Sequence, residues 1–215
     1  MRIRPTRQQL LGLLPERLVL VRGPREPGAL YLSFDDGPHP QHTPRLLDLL
    51  ARHDVLASFF LIGQRVEQHP ALVERIVAEG HALGNHSYSH PLFHRLGLRE
   101  QLAEVERTDR LLAAFDRAGP PRFRPPRGVV SLPLLLAFAR RGRNLAYWSY
   151  DSLDYQPRPP EELAARLQRQ PPVDGDVLLM HDDSGCAAQI LARMLPAWRS
   201  EGRRLHALPR PATAA

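Results

Sequence analysis

The sequence has a single cysteine, Cys186, no lysine and no long apolar run. One cysteine excludes a disulfide within the chain and favours a reducing compartment. Residues 1–28 are basic and contain several leucines, but prolines interrupt them. The segment is therefore too short and too broken for a secretory signal or a membrane span. These absences predict a cytoplasmic protein, with at most a weak association of the arginine-rich N-terminus with a membrane surface.

The basic charge of the chain is carried by arginine alone. The formal net charge is +6, aromatic residues make up only 7% of the sequence, and hydrophobic residues make up 43% of its 215 positions. Nucleic-acid binding calls for basic residues interleaved with exposed aromatics, or for a recognisable module, and neither is visible. A chain of this size and composition can bury a substantial core. We therefore expect one globular domain and no nucleic-acid partner.

Short apolar runs alternate with amphipathic stretches. Strands are predicted near residues 30–34, 58–62, 82–84, 122–124, 145–149, 177–180 and 204–208. Helices are predicted over residues 44–52, 71–79, 99–118, 132–141, 160–169 and 188–201, with one short amphipathic helix possible in the first 28 residues. Regular alternation of strand and helix predicts an α/β fold with a parallel sheet. The expected organisation is an N-terminal extension over 1–28, a domain over 29–209 and a tail over 210–215.

Two adjacent carboxylates, Asp35 and Asp36, end the first predicted strand. Gly37 and Pro38 follow and make the chain turn, so both acids lie at the mouth of the predicted sheet. Because neighbouring strand residues point to opposite faces, one carboxylate can bind a metal while the other takes a proton. Asp-Gly is also common in ordinary turns, so the pair alone leaves that interpretation open.

Two histidines, His86 and His90, follow the third predicted strand at a spacing of four residues. This spacing lets both imidazoles converge on one ion. Two histidines and one carboxylate leave positions open for water and substrate, as a catalytic metal site requires. His94 repeats the spacing after His90, so the spacing by itself is weak. The ligand types suit zinc, cobalt or nickel, and availability favours zinc.

Three more polar clusters each end a predicted strand. They lie in FRPPRG at residues 123–128, YWSYDSLDY at 147–155 and VLLMHDD at 177–183. The double proline fixes the direction of Arg124 and leaves the amide of Arg127 free to point at a ligand. Each cluster taken alone is also typical of an ordinary turn or strand end. Their shared position, at the carboxyl ends of strands, is where α/β folds place their sites.

The ordered motifs SFDDGPHP, HSYSH, RPPRG, DSLDY and LLMH resemble those of the NodB-homology polysaccharide deacetylases, also called carbohydrate esterase family four. The resemblance runs from about Ala29 to Leu208 and includes Thr43-Pro44 after the first motif. It implies a distorted (β/α)7 barrel forming a single catalytic domain. It also implies a metal-dependent hydrolase that removes acetyl groups from N-acetylhexosamine units of a polysaccharide, an oligosaccharide or a lipid-linked glycan.

The resemblance also implies a role for each matching residue. The implied assignments are Asp35 as general base, His181 as general acid, and Asp36, His86 and His90 as metal ligands. Arg124 would orient Asp35, and Asp154, or less favourably Asp151, would orient His181. The backbone amide of Arg127 would stabilise the oxyanion, and Leu179 would line the pocket for the acetyl methyl.

Two residues depart from the usual family pattern. Arg127 stands where an aromatic residue often follows the double proline, and Tyr155 replaces the usual tryptophan after Asp154. Only the amide of residue 127 is needed for the oxyanion, so we expect the departures to affect substrate binding rather than chemistry. An exposed guanidinium at the rim favours a phosphate- or carboxylate-bearing glycan. The alternative is an ordinary solvated arginine.

Two other functions use the same motifs. One is a catalytically idle NodB-like domain that binds carbohydrate, which is disfavoured because a binding module needs neither a base nor an acid beside an ion. The other is an O-acetyl esterase on the same fold, which would use the same residues. The sequence does not separate ester from amide substrates, and it does not indicate an oligomeric state.

Overall fold

The structure is a computed structural model that describes residues 6–211, so residues 1–5 and 212–215 of the predicted terminal segments lie outside the described part. Its strands are β1 (Val19–Leu20), β2 (Ala29–Asp35), β3 (Ser58–Leu61), β4 (Ala82–Asn85), β5 (Arg122–Phe123), β6 (Leu145–Ala146), β7 (Tyr150–Asp151), β8 (Val177–His181) and β9 (Arg204–His206). Its helices are α1 (Arg7–Leu11), α2 (His42–Arg52), α3 (Gly63–Gln68), α4 (Pro70–Ala78), α5 (Leu98–Leu112), α6 (Leu132–Arg140), α7 (Pro160–Arg169) and α8 (Cys186–Ser200), with short 3₁₀ turns at Phe93–Arg95 and Pro126–Gly128.

The strands form one sheet in the order β1-β6-β5-β4-β3-β2-β8-β7, and β9 pairs with the start of β2. The strand pairs are parallel. The chain runs directly from β6, which pairs with β5 on one side of the sheet, into β7, which pairs with β8 on the other side. This segment therefore brings the two sides of the curled sheet together. The predicted distorted (β/α)7 barrel is thereby confirmed.

Alternation along β2 separates the core from the site. Leu30, Leu32 and Phe34 belong to the buried cluster that includes residues of the surrounding helices. Ser33 and Asp35 point to the other side, into the barrel, where both meet the buried guanidinium of Arg124. The second half of β2, with apolar residues on one face and polar residues on the other, thus holds the site against a rigid core.

The seven predicted strands and the six predicted helices all have counterparts in the structure, with differences at several bounds. The helix predicted to reach residue 118 ends at Leu112. In the turn that follows, the side chain of Asp116 accepts a hydrogen bond from the amide of Ala118, just before Gly119-Pro120. A local side-chain turn followed by proline competes with continued helix. Helix α3 and strands β1 and β7 were not predicted because each spans only two to six residues.

The predicted N-terminal extension contributes to the sheet. Its short helix, Arg7–Leu11, begins with a Thr6 capping box, and β1 pairs in parallel with β6. The side chains of Val19 and Leu20 are buried. The sheet therefore begins before residue 29. No helix within residues 6–211 is both long enough and apolar enough to cross a membrane.

Candidate active site

Asp35 and Asp36 lie at the carboxyl end of β2, as predicted, but they do not point to opposite faces. Asp36 has a positive φ of 73°, which turns its side chain back toward the interior. As a result, Nε2 of His86 lies 3.7 Å from Oδ2 of Asp35 and 3.4 Å from Oδ1 of Asp36. A positive φ in a residue other than glycine is uncommon and costs free energy, and strained residues of this kind cluster at functional sites. Strand alternation stops at Asp35, and both carboxylates face one site.

The two histidines sit in a strained loop after β4, where Ser87 and His90 also have positive φ. Nε2 of His90 lies 3.3 Å from Oδ1 of Asp36. The carboxylate of Glu104, on α5, accepts the amides of Tyr88 and Ser89 at 2.9 and 2.7 Å. These bonds hold the loop in the shape that brings both imidazoles to the carboxylate.

The cluster of Asp36, His86 and His90 fits a divalent metal ion. One possible ligand atom from each lies within 4.8 Å of the other two. Oδ1 of Asp36 is buried and has no hydrogen-bond partner within the described residues. Burying an unpaired carboxylate oxygen costs free energy unless a cation binds it. Burial lowers the pKa of His86 to about 3, so this imidazole is neutral and keeps a lone pair for a metal. Oxygen and imidazole ligands of this kind suit several divalent ions.

Arg124 is fully buried and binds Asp35. Its Nη1 donates to Oδ1 of Asp35 at 2.6 Å and to Oγ of Ser33 at 2.9 Å, and its Nη2 donates to the carbonyl of Tyr147 at 3.0 Å. The ring of Phe60 lies 3.9 Å from its guanidinium carbon. Burial raises the pKa of Asp35, while the Arg124 charge acts in the opposite direction. Asp35 is therefore a fixed carboxylate that is more basic than an exposed one.

His181 lies beside Asp35, because the two residues are register partners on β8 and β2. Nδ1 of His181 lies 2.9 Å from Oδ1 of Asp154, and its amide donates to Oδ2 of the same carboxylate at 2.7 Å. Asp151 makes no such contact and instead accepts the hydroxyl of Tyr155. Burial alone would lower the pKa of His181, but Asp154, with Asp35 and Asp36, raises it to about 9. The imidazole is thus held protonated near neutral pH.

The predicted rim and pocket residues surround this centre. Arg127 is exposed and has a φ of 54°, and its amide donates no hydrogen bond within residues 6–211. Tyr155 is also exposed, and its ring meets the ring of His181 edge-on at a centroid distance of 5.4 Å. Leu179 is buried on β8, two residues before His181 and on the same face. The geometry therefore brings the predicted site residues to one end of the barrel, and of the two carboxylates considered for His181 it is Asp154, not Asp151, that binds the imidazole.

Several supporting residues were not predicted from the sequence. Ser33 shares the face of Asp35, two positions earlier on the strand, and this spacing was a usable signal. The guanidinium of Arg65 donates to the carbonyl of Asp36. Thr43, in the first turn of α2, donates to the buried carboxylate of Asp182 at 2.6 Å and so connects this helix to the loop after β8. Glu104 carried no signal, because it comes from a helix remote in sequence from the loop that it holds.

Comparison with known proteins agrees with this geometry. Residues 22–146 match the family described as polysaccharide deacetylase. The peptidoglycan-N-acetylglucosamine deacetylase of Bacillus cereus is 31% identical over 191 residues, covering 87% of this chain and 69% of that protein. The chitooligosaccharide deacetylase of Sinorhizobium fredii is 34% identical over 199 residues, covering 84% and 90%.

A solved structure extends the match to the whole fold. The crystal structure of a peptidoglycan N-acetylglucosamine deacetylase, in complex with a substituted N-oxidanyl-benzamide, has a TM-score of 0.83 and 30% sequence identity. The match covers 89% of this chain and 91% of that one. Sequence, fold and site geometry agree, and the chain belongs to the polysaccharide deacetylase family.

Proposed function

We propose that this protein is a metal-dependent hydrolase that removes acetyl groups from N-acetylhexosamine units of a glycan. The observation that carries the proposal is the position of two proton-transfer groups, Asp35 and His181, beside the cluster of Asp36, His86 and His90. Amide hydrolysis needs a base for water, a polarised carbonyl and an acid for the departing nitrogen. This arrangement provides a residue for each need.

Asp36, His86 and His90 would hold the divalent ion. When bound, the ion supplies a Lewis acid that polarises the acetyl carbonyl and makes water easier to deprotonate. Zinc is the metal that we propose, with cobalt or nickel as alternatives, because neutral imidazole and carboxylate ligands suit all three and zinc is the most available.

Asp35 accepts the proton of the attacking water. Arg124 fixes Oδ1 of this carboxylate with a 2.6 Å hydrogen bond, while Oδ2 faces the metal-binding cluster, 3.7 Å from Nε2 of His86. The amide of Arg127 has no partner of its own in the described chain and is available to donate to the oxyanion. A single donor of this kind contributes roughly 3 kcal/mol to lowering a barrier.

His181 donates a proton to the leaving nitrogen. Its Nδ1–H is held by Asp154, so Nε2 carries the proton that is transferred. Asp154 also stabilises the charged imidazolium before transfer, which is why the acid remains loaded near neutral pH. Leu179, on the same face of β8, provides an apolar wall for the acetyl methyl group.

The substrate class is proposed from relatives. Two of them are named for N-acetylglucosamine in peptidoglycan and for chitooligosaccharides, and both substrates contain an N-acetylated hexosamine. We infer an acetylated glycan of the same kind for this protein. The cytoplasmic location, a membrane-surface contact of the N-terminus and the domain boundaries stay predictions.

An O-acetyl esterase is the second candidate, since ester and amide hydrolysis need the same groups. The discriminating experiment incubates the metal-loaded protein with chitooligosaccharides and, separately, with an O-acetylated xylan. Mass spectrometry of the first product should reveal free amino sugars. Acetate from the xylan without any amine from the chitooligosaccharides would identify an esterase, and no acetate from either would leave the carbohydrate-binding alternative.

A further inference from the structure

A cavity of about 370 Å³ opens at the end of the barrel opposite to Asp35 and His181. Its wall includes the first residues of three neighbouring strands, Ser58, Ala82 and Arg122, and the chain that follows β9. None of the proposed catalytic or metal-binding residues lines it. The cavity is therefore a separate feature of the barrel.

Arg122 is the notable group in this cavity, because its side chain is buried and incompletely bonded. The residue is only 8% exposed, and its Nε donates to the carbonyl of Pro209 at 3.0 Å. Its Nη1 is buried and has no hydrogen-bond partner in the described chain. Burial lowers the pKa of Arg122 to about 10, with Glu16 acting in the opposite direction. Arg122 is therefore a buried cation that forms no ion pair with a carboxylate of the described chain.

Arg124, the next residue of this segment that faces into the barrel, differs from Arg122 because its charge is compensated by a carboxylate. Arg124, two residues further on, is also buried, and it binds Asp35 at 2.6 Å. The other arginines of the cavity wall are compensated too, since Arg143 pairs with Asp109 and Arg210 pairs with Asp116 at 2.9 Å. Within residues 6–211, Arg122 thus differs from these neighbouring arginines in having no ion pair.

We propose that this cavity binds an organic carboxylate with an apolar body, whose carboxylate pairs with Nη1 of Arg122. Nε and Nη2 of Arg122 donate to the carbonyls of Pro209 and Arg210 at 3.0 and 3.4 Å, which leaves Nη1 as the group that can donate a charge-assisted hydrogen bond to a carboxylate oxygen. The apolar wall, which includes Phe60, Leu83, Leu112 and Leu208, fits a hydrocarbon body rather than a bare inorganic anion. The carboxylate of Asp116 lies at the wall, but its bond to Arg210 offsets its repulsion of the ligand.

Phenylbutyrate is a suitable probe, because it joins one carboxylate to an aromatic hydrocarbon body. Isothermal titration calorimetry on the full chain should detect binding with a Kd below about 1 mM. Phenylbutanamide lacks the charge and inorganic phosphate lacks the apolar body, and each should bind at least about tenfold more weakly. No binding of phenylbutyrate, or equal binding of the amide, would overturn the proposal.

Two variants test whether phenylbutyrate binds in the cavity that contains Arg122. Arg122→Gln removes the cation, and Ala82→Leu fills the cavity while keeping the cation, so each should weaken phenylbutyrate binding by at least about tenfold. The matched control is Arg141→Gln, which removes an exposed arginine paired with Glu106 on the surface and should bind as the wild type does. If Arg122→Gln does not fold, Ala82→Leu decides. Wild-type affinity in both cavity variants would contradict the site.

Discussion

Nδ1 of His86 lies 2.7 Å from the carbonyl oxygen of Arg124. Because the carbonyl only accepts, Nδ1 carries the proton, and Nε2 presents its lone pair toward Asp36. The guanidinium of the same arginine holds Asp35 at 2.6 Å. A single residue immediately after β5 therefore orients both a proposed metal ligand through its backbone and the proposed base through its side chain.

The first prediction concerns metal binding. His86→Ala should lose metal affinity by more than the roughly 10- to 100-fold typical of changing an outer-shell partner, because it removes one of three ligands. Metal content after dialysis measures the loss. His94→Ala is the matched control, since His94 repeats the four-residue spacing after His90 but is exposed and lies outside the cluster. Full metal content in His86→Ala would contradict the assignment.

The second prediction concerns Asp35. Asp35→Asn keeps the shape of the side chain but cannot accept a proton as a base, so turnover should fall by roughly 10² to 10⁴-fold. Metal content should remain close to that of the wild type. Asp183→Asn provides the control, because this carboxylate is exposed. Near-normal turnover of Asp35→Asn would reject the role of base.

The third prediction concerns pH. Asp35 acts when ionised, and its pKa is raised by burial, so activity should fall as pH drops through a value above the ordinary range for aspartate. His181 acts when protonated, so activity should persist up to about pH 9 and fall as pH rises through it. The rate should follow a bell, measured at saturating metal.

Asp154→Asn tests which group sets the basic limb. The change removes the charge that holds the pKa of His181 up and leaves the effect of burial, so the basic limb should move to lower pH while the acidic limb stays. Asp151→Asn is the control, because within residues 6–211 Asp151 makes no hydrogen bond to His181 and its carboxylate instead accepts the hydroxyl of Tyr155. A basic limb that stays in place in Asp154→Asn would argue against His181 as the acid.

The fourth prediction concerns the rim. Arg127→Ala keeps the backbone amide and removes an exposed guanidinium, so KM should rise while kcat changes little. If the guanidinium binds an anionic group of the glycan, the loss should be larger for phosphorylated or carboxylated substrates and should shrink in high salt. Equal loss on charged and neutral substrates would leave Arg127 as a solvated side chain.

Much of this site was predictable because its residues end strands. Asp35 and His181 end β2 and β8, and a parallel sheet brings such ends together. The shape of the metal site was not predictable in the same way, because it depends on the positive φ of Asp36 and His90 and on the bonds from Glu104. Such bonds arise from tertiary contacts that no local pattern contains.

The fold shows the same division. Nearly continuous apolar runs identified β2 and β8, which are buried on both faces. The two-residue strands β1 and β7 carry no periodic pattern of their own, and their pairing depends on the neighbours that the curled sheet supplies. Short elements of this kind are defined by tertiary contacts rather than by their own residues.

Acetate release from N-acetylated chitooligosaccharides, with and without a chelator, tests the central claim most directly. The protein loaded with zinc should release acetate and leave an equal amount of free amine, the chelator should abolish both, and added zinc should restore both. Asp36→Ala should stay inactive after zinc is added, because the cluster has lost its carboxylate ligand. Undiminished acetate release after complete removal of the metal would contradict a metal-dependent deacetylase.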